Sequence, residues 1–376
     1  MRKDTQCVHG GTHKDPHTRG LNTPIFTSSS FEYLDAPENV YPRYFNTPNQ
    51  KSIVRKLCDL ENAEEGLLFS SGMAAISTAM LTFLNSGDHV VLQKDIYGGT
   101  HHFVTADYER FGIEYTFVSN RAEDIERAVR KNTKIIYIET PSNPLVLITD
   151  IKATVRIARA KKAISIIDNT FATPINQNPI DLGIDIVTHS GTKYLGGHSD
   201  LCCGAVLTRK DLAAKITATA ANLGGSLNAL TCYLLERSLK TLAIRVEKQN
   251  QNARLIAEHL QKDPRIQNVY YPGLENHPGH AVARDQMKGF GGMLAFELNS
   301  RAPDPALFLR NLKLITPALS LGGVESIICS PAKTSHEKIT EAERAELGIT
   351  DNHLRLSVGI ENSDDLIADL EGALSA

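Results

Sequence analysis

Lys193 lies in the stretch Thr188-His189-Ser190-Gly191-Thr192-Lys193-Tyr194, just past an apolar run that reads as a buried strand. Two small hydroxyl residues and a glycine precede it, so this lysine can face a ligand and not only bulk water. Desolvation lowers a lysine pKa, and only the free amine is nucleophilic, so the chemistry open to Lys193 is imine formation with an aldehyde. A solvated loop lysine is the plainer alternative. Asp168 ends another apolar run, Ala163-Ile164-Ser165-Ile166-Ile167, 25 positions before the lysine. An acid at the carboxyl edge of a central strand needs a cationic partner. A pyridinium nitrogen would be one, because the aspartate would keep it protonated and the ring able to draw electrons from a carbanion. Otherwise Asp168 caps the next turn. Asp168 and Lys193 at neighbouring strand ends make the paired reading stronger than either alone.

Ser70-Ser71-Gly72-Met73-Ala74-Ala75 brings small residues to the start of an expected helix, where free N–H groups and the macrodipole favour an anion such as a cofactor phosphate. Ser190 and Thr192 could add hydroxyl hydrogen bonds. Tyr97, in Tyr97-Gly98-Gly99-Thr100, follows the next strand and could lay its ring on a flat cofactor. A tyrosine buried in a glycine-rich turn is the competing explanation.

The elements that must carry these residues follow from periodicity. Ile53, Val54, Leu57 and Leu60 recur at helical spacing, a short strand spans 66–69, and a helix starts at Met73. Short apolar runs follow at 89–92, 114–118, 134–138, 163–167, 185–188 and 204–208, alternating with helix-like stretches such as 122–130 and 151–160. This alternation predicts a mostly parallel α/β sheet with ligands beyond the carboxyl ends of its strands. A long helix over 229–260 should lead out of that domain. Strands at 266–270, 293–298 and 353–358 with helices at 306–312 and 364–374 predict a smaller α+β domain. The segment 1–46 is rich in glycine and proline and reads as an extended arm. The expected division is therefore an arm over 1–46, a large domain over 47–245 and a small C-terminal domain over 246–376.

Composition limits the function. The chain has 376 residues, enough for about two domains. Lys plus Arg is 40 against 43 for Asp plus Glu, a net charge of −3, so it lacks the basic excess that nucleic-acid binding requires. No apolar stretch approaches the ~20 residues of a membrane span. No secretory h-region follows Met1, so the expected location is the cytoplasm. The six cysteines show no C-x-x-C pattern and read as reduced, mostly buried thiols. His9, His13 and His17 recur every four residues, but Gly10, Gly11 and Pro16 break the helix that would align them, and no metal site is expected. Neither G-x-G-x-x-G nor G-x-x-x-x-G-K-[ST] occurs, so a phosphate must be held differently.

Taken in order, Tyr41-Pro42-Arg43-Tyr44, Ser70-Ser71-Gly72-Met73, Tyr97-Gly98-Gly99-Thr100, Glu139-Thr140-Pro141-Ser142-Asn143-Pro144, Asp168-Asn169-Thr170, Ser190-Gly191-Thr192-Lys193, Ser320-Leu321-Gly322-Gly323 and Leu354-Arg355-Leu356-Ser357 resemble the Cys/Met-metabolism family of pyridoxal-phosphate enzymes. The resemblance runs from Thr5 to the C-terminus. It implies an aspartate-aminotransferase-like fold (fold type I), with Lys193 holding pyridoxal 5′-phosphate as an imine and Asp168 bonding the ring nitrogen. Gly72, Met73, Ser190 and Thr192 would bind the phosphate, joined by Tyr41 and Arg43 from a neighbouring subunit. Tyr97 would stack on the ring and donate a proton to the departing sulfur. Arg355 would grip the substrate carboxylate as a bidentate pair, helped by Asn143 and Ser320. The arm would make a homodimer the minimum unit, with tetramers usual in the family.

The implied activity is a carbon–sulfur γ-lyase acting on a small sulfur amino acid (cystathionine, homocysteine or methionine) and releasing an α-keto acid, ammonia and a thiol. The alternative is γ-replacement on an O-acylhomoserine, as in cystathionine γ-synthases. A relative that kept the fold without the chemistry is a third reading, against which intact Lys193, Asp168 and Arg355 argue. Family members that handle cystathionine often carry acids where this chain has Val40 and Leu319, which favours a substrate with an apolar or short tail. Methionine γ-lyases typically carry a cysteine where this chain has Gly99, and they lack the second glycine found here at Gly323.

Overall fold

The computed structural model describes residues 1–334, 344 and 348–375. Strand runs and amphipathic segments build two sheets. The larger has the order β1-β7-β6-β5-β4-β2-β3, with β1 Glu65–Phe69, β2 His89–Gln93, β3 Glu114–Val118, β4 Thr133–Glu139, β5 Ile164–Asp168, β6 Ile186–Ser190 and β7 Gly204–Thr208. Strands β3, β2, β4, β5 and β6 run parallel, and β7 lies antiparallel to both β6 and β1. β1 therefore points the same way as β6. The carboxyl ends of β1, β4, β5 and β6 share one edge, which is where ligands of such sheets bind.

Both faces of this sheet are covered, which is why its central strands are buried throughout and carry short apolar runs such as 135–138 in β4. One face packs on α2 (Pro48–Glu61), α6 (Ile151–Lys161), α9 (Ala229–Leu239) and the start of α10 (Leu242–Leu260), through residues such as Leu57, Val155, Leu235 and Val246. The other packs on α3 (Gly72–Leu81), α4 (Gly98–Phe111) and α8 (Lys210–Leu223), through Ile76, Met80, Tyr108 and Ile216. The shorter helices α1 (Lys3–His9), α5 (Ala122–Ala128) and α7 (Thr173–Asn176) complete this half.

The second sheet has the order β10-β11-β12-β9-β8, with β8 Ile266–Tyr270, β9 Met293–Leu298, β10 Thr316–Pro317, β11 Ile327–Cys329 and β12 His353–Ser357. Only its β10–β11 pair is parallel. Its core joins Leu294, Phe296 and Leu356 to Ile256 and Leu260 of α10, to Phe308 of α12 (Pro305–Asn311) and to Leu366 and Leu370 of α13 (Ser363–Leu374). α11 (His280–Gln286) lies between β8 and β9 in the chain. α10 thus contributes its first turns to one core and its last turns to the other.

Three elements differ from expectation. The helix expected over 229–260 is broken at Lys240 and Thr241, and the expected boundary at 245/246 falls inside α10. Thr241 leaves helical geometry (φ −109°, ψ 7°), and its hydroxyl and the Ser238 carbonyl are taken by the Arg245 guanidinium. The arm begins with a helix, α1, whose Cys7 is buried and whose Cys7 carbonyl accepts from the buried Lys56 Nζ at 2.9 Å. The first residues of the chain are thus docked on their own subunit, and the irregular stretch starts after Gly11. Strands β10 and β11 are too short to leave a periodic signal. The six cysteines are free thiols, with Cys202 exposed and the other five buried.

Candidate active site

Residues from both sheets meet at the shared edge of the larger one. Ser71 caps α3, its side chain accepting from the Ala74 N–H at 3.1 Å. The first two helical N–H groups, on Gly72 and Met73, lack intrahelical acceptors, and Gly72 lies against Ser190. A Cβ on Gly72 would lie 2.8 Å from Ser190 Cβ and 2.9 Å from its Oγ, so only glycine permits this approach. A cradle of amides at the positive end of α3, lined by a hydroxyl, suits an anion.

β6 delivers the chain into a tight turn that carries Lys193. The Lys193 N–H donates to Ser190 O at 3.2 Å, that of Gly196 to Gly191 O at 2.8 Å and that of Gly197 to Lys193 O at 2.7 Å. Thr192 is tied to the neighbouring strand, its Oγ1 accepting from the Cys203 N–H at 3.1 Å. Lys193 Nζ donates to Ser320 Oγ at 2.7 Å. Burial, reinforced by the nearby Arg355 charge, brings the lysine down to about 8, so about a tenth of the amine is free at pH 7, far more than for an ordinary lysine.

Asp168 ends β5 opposite Glu139, which ends β4. Both acids are buried. Burial raises the Asp168 pKa against the hydrogen bonds it accepts from Thr170, one of them from the Thr170 N–H at 2.9 Å. Glu139 is raised further, by burial and then by the charge of Asp168. Its two carboxylate oxygens accept from the Tyr97 N–H at 2.8 Å and the Asn143 N–H at 3.0 Å. One carboxylate thereby ties together the Tyr97 and Asn143 loops. The Tyr97 ring folds back over the start of α4, so that a Cβ on Gly99 would lie 2.4 Å from Tyr97 Cε1.

Arg355 enters from β12. Its Nη1 donates to Asn143 Oδ1 at 2.7 Å and its Nη2 to the Ser320 carbonyl at 2.9 Å, while the buried Nε has no partner among the described residues. Ser320 sits at φ +85°, and the next glycine, Gly322 (φ +76°), lies so close that a Cβ there would be 2.7 Å from the Tyr194 nitrogen. The Lys193 turn and the Ser320 loop are thus in backbone contact. Leu319, beside Ser320, is 67% exposed.

Among the expected site residues, Lys193, Ser320, Arg355 and Asn143 form one connected group. Gly72 meets Ser190, and the Ser190 N–H donates to Thr170 Oγ1, two residues from Asp168. Tyr97 joins through Glu139. Tyr41 and Arg43 lie elsewhere on their own chain: Arg43 Nη1 donates to the Ala221 carbonyl of α8, and its guanidinium sits 5.6 Å and 5.5 Å from the Tyr41 and Tyr44 rings. The sequence reading assigned no role to Glu139 as the joint between two loops, although its position at the end of an apolar run parallels that of Asp168. It also missed Arg245, whose Nη1 donates to the Tyr194 carbonyl at 2.8 Å, because a buried arginine in a helix leaves no local signature.

The chain matches the family model described as Cys/Met metabolism PLP-dependent enzyme over residues 4–375. It is 47% identical over 378 residues to the cystathionine gamma-lyase of Bacillus subtilis (strain 168), covering 100% of this chain and 99% of that protein. It is 45% identical over 378 residues to the cystathionine beta-lyase MetC of the same strain, covering 99% and 96%. Among solved structures, that of cystathionine gamma-lyase from Lactobacillus plantarum complexed with L-serine is similar with a TM-score of 0.96 and 41% identity, over 100% of this chain and 99% of that one.

Proposed function

Because the chain belongs to the Cys/Met metabolism PLP-dependent enzyme family, we propose that it is a carbon–sulfur γ-lyase that uses the side chains gathered around Lys193 on small sulfur amino acids. Its fold is the aspartate-aminotransferase-like fold type I, its cofactor is pyridoxal 5′-phosphate, and it is a lyase of carbon–sulfur bonds.

The residues present fit that cofactor. The open amides of Gly72 and Met73, with Ser190 and Thr192, suit its phosphate; buried Asp168 suits a protonated ring nitrogen; and the Lys193 amine suits its aldehyde. When bound, the cofactor supplies the aldehyde and an electron-withdrawing ring that takes up the charge left at the substrate α-carbon. Arg355 binds the substrate carboxylate through the Nη1 and Nη2 N–H groups that Asn143 and the Ser320 carbonyl leave open. With its amine free, Lys193 Nζ would remove the α-proton and return protons along the carbon skeleton, with Ser320 Oγ as its hydrogen-bonding partner. The Tyr97 hydroxyl donates a proton to the departing sulfur. Tyr41 and Arg43 of a neighbouring subunit complete the phosphate site, which makes the dimer the smallest active unit.

The observation that carries this reading is the contact of Lys193 Nζ with Ser320 Oγ beside the Arg355–Asn143 pair, since it brings a poised base and a carboxylate grip to one substrate. Exposed, apolar Leu319 at the rim supports a substrate tail without a distal ammonium, such as that of methionine or homocysteine. The test is product analysis with methionine, homocysteine and cystathionine, beside cystathionine formation from O-succinylhomoserine and cysteine. γ-Elimination yields 2-oxobutyrate from all three amino acids. Pyruvate and homocysteine from cystathionine would show β-elimination, and synthesis alone would show γ-replacement; either result overturns the γ-lyase reading.

A further inference from the structure

We propose that α10 aligns the catalytic centre across the two sheets, and that Arg245, Gln249 and Asn252 on one buried face of it are positioning residues for the reaction. The proposal rests on the roles assigned above to Lys193, Ser320 and Arg355. The three side chains recur at i, i+4 and i+7, one stripe of a helix. Each donates to a backbone carbonyl in a different segment. Arg245 Nη1 donates to Tyr194 O at 2.8 Å, immediately after the lysine. Gln249 Nε2 donates to Gly323 O at 2.7 Å, in the loop that carries Ser320. Asn252 Nδ2 donates to Gly359 O at 3.1 Å and Glu361 O at 2.8 Å, where the chain leaves the strand of Arg355. One rigid rod therefore registers the three segments whose side chains meet at Lys193.

The chemistry of these residues argues against simple core filling. Arg245 is 4% exposed, and its other donors go to Ser238 O at 3.0 Å and Thr241 Oγ1 at 3.1 Å, so all of its acceptors are uncharged. Burying a cation without a counter-ion is costly, and a planar fork of five donors is what can bridge three separate oxygens. Gly197 (φ +69°) makes room for it: a Cβ there would lie 2.0 Å from Arg245 Nη1. Gln249 and Asn252 are fully buried, yet Gln249 Oε1 and Asn252 Oδ1 have no hydrogen-bond partner among the described residues. An orphaned buried carbonyl destabilises a fold, and a methionine or leucine in its place would avoid that. What the amides supply is their N–H groups, aimed at Gly323 and Gly359.

The test compares holoenzymes of Gln249→Met and Arg245→Lys with the parent and with Gln251→Ala on the exposed face of the helix. Three quantities are read: steady-state kcat and KM, the pH titration of the cofactor's visible absorbance, which reports on Lys193, and thermal unfolding. Both buried-face variants are expected to unfold cooperatively and to carry cofactor. Their kcat/KM should fall by about 10²-fold, the effect of a misplacement on the scale of an ångström, with a displaced absorbance titration. Gln251→Ala should match the parent. The proposal is overturned if Gln249→Met and Arg245→Lys keep kcat/KM within about twofold of the parent and an unchanged titration. If one fails to fold, the other carries the same expectation; failure of both overturns a positioning role in favour of a purely structural one. Lys193→Ala separates this from the underlying reading. If that variant keeps activity and colour, the assignment of the site fails; if it loses both while the α10 variants are silent, only the alignment role fails.

Discussion

Two residues at the centre carry the most direct expectations. Lys193→Ala should lose the visible absorbance of the bound cofactor and all lyase activity, measured by spectrum and by 2-oxobutyrate release. In the apoprotein, burial brings this lysine to about 8, so the rate of cofactor capture should rise as pH increases through that value and level off above it. The lowered pKa also has a sign for stability. Below about 8 both folded and unfolded chains hold the proton and the full desolvation penalty applies; the penalty fades as pH rises toward the ordinary lysine range near 10.4. Apoprotein unfolding followed between pH 7 and 10 checks the direction. Arg355→Lys keeps the charge but not the fork, and should lower kcat/KM by about thirtyfold, the loss of about 2 kcal/mol in a charged hydrogen bond, mostly through KM. At this scale the sequence was informative where chemistry demands a residue type at a strand end: Asp168 and Lys193 drew notice as a pair at neighbouring strand ends, although the lysine's own stretch read no differently from a solvated loop. Arg355 and Asn143 could be found only through motif resemblance, because their contact at 2.7 Å joins positions 212 residues apart. Glu139 was silent because its role lies in two backbone N–H groups that no pattern marks.

Among the elements, the start of α3 is the most sensitive to a single methyl group. Gly72→Ala would drive its Cβ into Ser190, and cofactor affinity should weaken by about tenfold, the scale of one displaced hydrogen-bonding group, as measured by titrating apoprotein with pyridoxal phosphate. Gly99→Cys would push on the Tyr97 ring; turnover should fall while cofactor content is kept, which kcat beside the visible spectrum would reveal. The larger sheet was readable because its buried parallel strands carry short apolar runs, such as 90–92 in β2 and 135–138 in β4. The direction of β7 was not, since a run such as Gly204–Thr208 looks the same parallel or antiparallel. The break between α9 and α10 contains neither glycine nor proline. It is made by the Arg245 side chain taking the Ser238 carbonyl and the Thr241 hydroxyl, a tertiary cause that propensity does not record. α1 is seven residues without periodicity and is held by Lys56 and Lys3, which donate to the Cys7 and Leu60 carbonyls across positions far apart in the chain.

For the whole molecule, the arm after Gly11 bears on assembly. If Tyr41 and Arg43 complete a neighbour's phosphate site, Lys193→Ala and Arg43→Ala chains are each inactive alone. Random mixed dimers should then regain about a quarter of parental activity, because half of them are hybrids with one intact site of two. No recovery after mixing and reassembly would mean that each chain builds its site alone. Among the described residues no helix is long and apolar enough to cross a membrane. The close approach of Gly322 to the Tyr194 nitrogen also shapes how such a protein can diversify. Where main chain rests on main chain, no exchange of amino acids can open a gap or shift the angle between the halves without losing both, so that junction is closed to gradual change. Leu319, a step away and facing water, can be replaced without disturbing any neighbour. New substrate preferences are therefore expected to arise by substitution at the rim sooner than at the glycine packed beneath it.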